Sequence, residues 1–156
     1  MSYDGIIKKY EEVLKKLGVT EPSMNISVIL KNSKTIAVVG LSDKPERPSY
    51  DVATYLLEHG YNILPVNPNL VAWKGIKSYK SLSEIPKPEC DKIDIVGIFR
   101  KSEDVLPVVE EAIKLGTKTI WMQLGIVNEE AAEKARKAGL NVIINKCMKI
   151  EHANLS

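Results

Sequence analysis

The sequence predicts an α/β fold: a doubly wound, Rossmann-like parallel sheet of about five strands with a helical extension at its N-terminal side. Three observations carry this expectation. Short apolar, β-branched runs alternate with stretches of helical period. The strand-like runs are continuously apolar, as strands covered on both faces are. The first of them, Thr35-Ile36-Ala37-Val38-Val39, runs straight into Gly40-Leu41-Ser42 and a proline-studded loop, and a helix-like segment follows from Ser49.

Taken in order, residues 4–17 read as an amphipathic helix with Ile6, Tyr10, Val13, Leu14 and Leu17 on one stripe and Gly18 as its stop. Glu21-Pro22-Ser23 opens a second, short helix carrying Ile26, Ile29 and Leu30. Together they make residues 1–33 an extension packed on the rest, and the 156 residues are expected to form one domain. Strands are expected at 35–39, 62–66, 93–99, 119–122 and 141–144, and helices at 50–59, about 104–115 and 129–138. Each of these helices ends at a glycine, Gly60, Gly116 or Gly139. Asn128 suits the cap of the last one, whose acidic start and basic end complement its dipole. Pro107 falls in the first turn of its helix, where a missing N–H costs least. The segment 67–92, rich in Pro and Ser, offers at most a short helix near 81–85. Right-handed crossovers then give the strand order 3-2-1-4-5.

Composition narrows the partners. A net charge of +2 without a Lys/Arg run argues against nucleic acid. No apolar stretch approaches the roughly 18 residues of a membrane span, and Met1 to Lys9 lack the apolar core of a signal peptide. A cytoplasmic location is expected. Cys90 and Cys147 are far apart and outside any C-x-x-C pair, so neither a zinc site nor a disulfide framework is expected.

In doubly wound sheets the ligand sits beyond the C-terminal strand ends, where the strand order reverses. That rule singles out Gly40-Leu41-Ser42, Asn67-Pro68, Phe99-Arg100, Gln123-Leu124-Gly125 and Asn145-Lys146-Cys147. Gly40 lets backbone N–H groups approach a phosphate, and the following helix N-terminus favours an anion. Ser42, Arg47 and Ser49 add donors, although Arg47 could instead pair with Glu46. The G-x-G-x-x-G fingerprint is absent, since Ser42 stands where the second Gly would be, and no G-x-x-x-x-G-K-[ST] loop occurs. The expected ligand is a nucleotide, but neither a nicotinamide dinucleotide nor hydrolysable ATP.

Taken together, Val38-Val39-Gly40-Leu41-Ser42, Pro65-Val66-Asn67-Pro68, Ile98-Phe99-Arg100, Trp121-Met122-Gln123-Leu124-Gly125 and Asn145-Lys146-Cys147-Met148 resemble the small stand-alone CoA-binding proteins. These are similar to the CoA-binding domain of the succinyl-CoA synthetase α subunit and of ADP-forming acyl-CoA synthetases. The resemblance covers roughly residues 25–152. It implies coenzyme A, or an acyl-CoA, as ligand. Gly40, Ser42 and the loop to Ser49 would hold the diphosphate, Asn67 and Pro68 would border the adenosine, and Ile98, Phe99 and Arg100 would flank the nucleotide and pantetheine arm. The synthetases' phosphorylated histidine and grasp-type nucleotide domain have no counterpart here, so acyl-CoA synthesis does not follow from the fold.

No metal triad, carboxylate pair or Ser-His-Asp order is evident, so a catalytic role is not expected; His59 reads as structural at a helix end, and His152 lies close to Glu151. Phe99 can cover an adenine face and Arg100 can grip a phosphate. Gln123 closes the crevice. Cys147 lies on the ligand side between Lys146 and Lys149, which would favour its thiolate, and a mixed disulfide with the CoA thiol becomes conceivable. A buried, inert thiol is the plain alternative. The reading is a non-catalytic CoA-binding carrier, sensor or thiol-protecting module. Its rivals are a subunit of an acyl-CoA synthetase-type enzyme completed by a partner chain, and a nicotinamide-nucleotide redox sensor. A homo-oligomer is compatible with any of these.

Overall fold

A computed structural model describes residues 26–155. The expected helix at 4–17 and the opening of the second one at Glu21-Pro22-Ser23 lie outside these residues. The rest of that second helix is present as α1 (Ile26–Asn32), which buries Ile26, Ile29 and Leu30.

Five parallel strands form the central sheet: β1 (Thr35–Val39), β2 (Asn62–Val66), β5 (Ile95–Ile98), β6 (Thr119–Met122) and β7 (Asn141–Ile143). The intervening β3 (Ala72–Trp73) and β4 (Ile76–Lys77) make a small separate hairpin, a feature absent from the sequence-based expectation. Helices α2 (Pro48–Glu58), α3 (Lys87–Cys90), α4 (Val105–Leu115), α5 (Glu129–Lys137) and α6 (Met148–Ala153) complete the order. Among the described residues no helix is long and apolar enough to cross a membrane.

The strand order is β2-β1-β5-β6-β7, which in sequence order reads 2-1-3-4-5 and corrects the expected 3-2-1-4-5. Pro65 explains why. It sits inside β2 and has no N–H to give to a neighbour, which confines its strand to an edge. Its carbonyl accepts the N–H of Tyr79 at 3.0 Å, and Asn67 donates its N–H to the Tyr79 carbonyl at 2.8 Å. A non-strand segment therefore lies along the outer edge of β2, where a third strand would have had to add. The next strand, β5, is inserted on the far side of β1. The order then reverses between β1 and β5, and their ends, Gly40 and Phe99-Arg100, become neighbours.

Alternation along each strand feeds two cores. Ala37, Val39, Val96, Ile98, Ile120 and Met122 meet Val105, Val109 and Ala112 of α4 and Ala131, Ala132 and Ala135 of α5. On the opposite face Ile36, Val38, Ile95, Trp121 and Ile143 meet α1, Val52, Ala53 and Leu56 of α2, and Met148 of α6. The caps follow the sequence logic. Asn128 accepts the N–H of Ala131 at 2.9 Å, Gly116 ends α4 in the left-handed region, and Pro107 stands in the first turn of α4.

The helix α6 was not foreseen. It docks on α2 through an aromatic cluster in which the Tyr55 hydroxyl and His152 Nδ1 share a hydrogen bond of 2.9 Å. His59 stacks on Tyr55 and stands 5.3 Å from the His152 ring. Burial, and secondarily the charge of His59, push the His152 pKa below its ordinary value. The unfolded chain, with a normal His near pH 6.5, binds more protons in the window between that lowered value and roughly pH 6.5. Stability contributed by neutral His152 is thus present above this window and lost as the pH falls through it. Urea midpoints should fall on acidification from about pH 7 towards 5, and less steeply in His152→Phe. Equal slopes in the two proteins would remove His152 from the account.

Candidate functional site

The loop after β1 is shaped by its own backbone and two serines. Gly40 has φ +87°, a left-handed conformation that side chains disfavour. A Cβ there would run into the carbonyl oxygen of Phe99 and come within 3.0 Å of its carbon. The two strand ends at the reversal point touch because residue 40 is a glycine. Ser49, buried at the start of α2, accepts the N–H of Ser42 at 3.0 Å, while the Ser42 hydroxyl accepts the N–H of Lys44 at 3.1 Å. Both hydroxyls act as acceptors inside the loop, which leaves each hydroxyl proton available as a donor. Pro48 occupies the first turn of α2, and the Arg47 side chain does not cap it. No side chain caps the positive end of this 11-residue helix at the cleft, although the Arg47, Tyr50 and Asp51 N–H groups donate to backbone carbonyls and Pro48 has none.

The cleft in front of this turn has a volume of about 550 Å³, within the range of small-molecule sites. Gly40, Ser42, Arg47, Ser49, Phe99, Arg100, Gln123 and Cys147 all line it. Arg47, Arg100 and the neighbouring Lys44 have no ion-pair partner among the described residues, so the alternative pairing of Arg47 with Glu46 is absent. Beyond Gly40 and Arg100 lies a second hollow of about 300 Å³, lined by Val66, Pro68, Lys80, Ser81 and the first turns of α4.

Two of the expected site residues lie outside both hollows. Asn67 donates from Nδ2 to the Leu41 carbonyl at 3.0 Å and accepts the Asn69 N–H at 2.9 Å. Its amide ties the β2 end to the β1 loop. Ile98 is fully buried in the core beneath α4 and α5. Pro68 borders the second hollow only.

Gln123 does more than close the crevice. It is 2% exposed, and its Oε1 accepts the Met148 N–H at 3.1 Å. A Cβ at Gly97 would lie 3.3 Å from its Nε2, so the glycine in the middle of β5 makes room for this amide. Trp121 donates its indole N–H to the Lys146 carbonyl at 2.8 Å, and Asn145 accepts the Gly125 N–H at 2.7 Å. The β6 and β7 ends are thus fastened to each other, and Cys147 is delivered to the cleft at the start of α6. Its thiol is free and half-buried, whereas Cys90 is buried in the other core. The expected influence of Lys149 on Cys147 is divided. Lys149 Nζ lies 2.9 Å from Asp51. That hydrogen bond is the main reason its ammonium holds its proton more tightly than usual, with Cys147 a minor contributor.

Sequence reasoning missed Val52 and Ile126 as lining residues, and reached Lys44, Pro48 and Leu124 only as parts of their loops. Gly97 carried a readable signal, since a glycine inside a buried strand marks a close approach.

Residues 34–153 match the model of a CoA binding domain family. The chain belongs to that family. Among its relatives it is 44% identical to the protein YneT of Bacillus subtilis over 128 residues, 82% of this chain and 92% of YneT. It is 32% identical to the alpha subunit of ADP-forming acetate–CoA ligase I of Pyrococcus furiosus over 130 residues, covering 73% of this chain but 27% of that subunit. A solved structure of a Pyrococcus horikoshii protein shares 45% identity and superposes with a TM-score of 0.79, covering 88% of this chain and 93% of that one. Free cations and a helix N-terminus suit phosphates, while Val52, Phe99, Leu124 and Ile126 give an apolar wall for an extended arm.

Proposed function

We propose that the protein binds coenzyme A in this cleft and serves as a non-catalytic carrier, sensor or thiol-protecting module of the cytoplasm. The observation that carries the reading is the convergence of Lys44, Arg47 and Arg100, free of ion pairs among the described residues, on an uncapped α2 N-terminus beside an apolar wall. In this reading Gly40, Ser42, Arg47, Ser49 and Arg100 hold the diphosphate. Phe99 and Pro68 face the nucleotide, Asn67 and Ile98 hold the strand ends in place, and Gln123 and Cys147 meet the thiol-bearing arm. The half-buried Cys147 thiol can then exchange with CoA disulfide, giving a protein–CoA mixed disulfide and one free CoA thiol.

Calorimetry with CoA and NAD tests the reading. CoA should bind at least tenfold more tightly, because the end of β2 reads Pro65-Val66-Asn67 and offers no carboxylate to ribose hydroxyls. Tighter binding of NAD would overturn it. One second reading has a specific observation behind it. The likeness to a ligase alpha subunit, of which this chain spans 27%, favours an acyl-CoA synthetase-type assembly completed by a partner chain. Co-purification with a larger chain and acyl turnover by the pair would establish that assembly.

A further inference from the structure

The floor of the cleft holds a buried amide whose N–H2 group makes no hydrogen bond among the described residues. The Met148 N–H at 3.1 Å sets the orientation of Gln123, because only the oxygen of an amide can accept there. Its Nε2 therefore faces away from that N–H and has no acceptor among the described residues, although the residue is 98% buried and lines the cleft. The same amide accepts from the N–H of Met148, the residue after the free Cys147 thiol, and Gln123 and Cys147 line one cleft. Val52, Leu124 and Ile126 line the same cleft with aliphatic surface.

We propose that Cys147 is an acyl acceptor, S-acylated by short-chain acyl-CoA through thioester exchange, with Gln123 Nε2 donating to the carbonyl oxygen. This rests on the reading that CoA binds in the cleft. The Cys147 thiolate attacks the thioester carbonyl carbon and forms a new S–C bond. The bond from that carbon to the CoA sulfur breaks, and CoA leaves as a thiolate that takes up the proton released by Cys147. One thioester replaces another, so no oxidant or reductant enters and the exchange is reversible. Negative charge grows on the carbonyl oxygen during attack, and an amide N–H2 held in place by the Met148 contact meets it without reorganising.

The experiment is intact-mass analysis of the full chain incubated with acetyl-CoA at pH 8, with CoA affinity measured on the same samples by calorimetry. Wild type and Cys90→Ser should gain one acetyl group, and Cys147→Ala none. The adduct should disappear on adding excess CoA or neutral hydroxylamine, which cleave a thioester and spare an acetylated lysine. Gln123→Glu keeps an acceptor for Met148 and loses the donor, so acylation should slow about a hundredfold, well beyond any change in CoA affinity. Gln123→Met loses the donor without adding a buried charge, and gives up the oxygen that accepts the Met148 N–H as well. An unmodified wild type that still binds CoA would overturn the inference and leave the binding reading intact. No binding and no adduct would overturn both. An adduct of equal size in Cys147→Ala, or a wild-type rate in both Gln123 variants, would also overturn it.

Discussion

Gly40→Ala should be the most damaging single-methyl change in the binding loop, costing stability and ligand affinity together. Two effects add. At φ +87° an alanine adopts a left-handed conformation, at a cost of about 1–2 kcal/mol. Its Cβ also meets the Phe99 carbonyl, which is strand-end backbone and cannot swing aside. Forcing the two ends apart costs roughly another 1–3 kcal/mol, the usual range for overpacking. The total, about 2–5 kcal/mol, is a large share of an ordinary domain's stability. Gly60→Ala separates the two effects. Gly60 has a similar φ of +94°, but nothing lies within 4 Å of an added Cβ, so about 1–2 kcal/mol of conformational strain is all that should appear. Urea denaturation of both variants gives the comparison. Equal destabilisation would mean that contact with Phe99 contributes nothing, and CoA affinity unchanged in Gly40→Ala would move the phosphates away from this loop.

The class of fold was legible because the apolar runs and the helix-ending glycines report local physics: strands buried on both faces, and backbone that must turn left-handed. Strand order was harder to read, although one residue encoded it. Pro65 marks β2 as an edge, yet it lies inside a run whose apolar character otherwise matches an interior strand. The hairpin of β3 and β4 escaped notice because two-residue strands leave no periodicity to detect. On the ligand side, the rule that strand ends converge placed Gly40, Phe99, Arg100, Gln123 and Cys147 on one cleft. It could not separate side chains that face the cleft from those turned inward, such as Ile98, or occupied by neighbouring backbone, such as Asn67. Those distinctions depend on strand phase and on partners distant in sequence.

The second large effect concerns the two arginines, and it should fall on binding with stability spared. Arg47 and Arg100 are exposed, line the cleft and have no ion-pair partner among the described residues. Removing either should leave the urea midpoint nearly unchanged, as for most exposed positions. A hydrogen bond to a charged group contributes about 1.5–3 kcal/mol, so each alanine variant should lose roughly tenfold to a hundredfold in CoA affinity. The double variant should lose close to the product if the two side chains meet separate phosphate oxygens, and less if they share one. Salt provides an independent check. Exposed charges are screened over about 8 Å at physiological ionic strength, so the deficit of each variant relative to wild type should shrink as salt rises. Arg100→Lys keeps the charge and loses the planar fork; a partial loss there points to bidentate contact, and full retention to a simple Coulombic role. If the double variant binds CoA as wild type does across the salt series, the phosphates are held by the α2 N-terminus and the loop backbone alone.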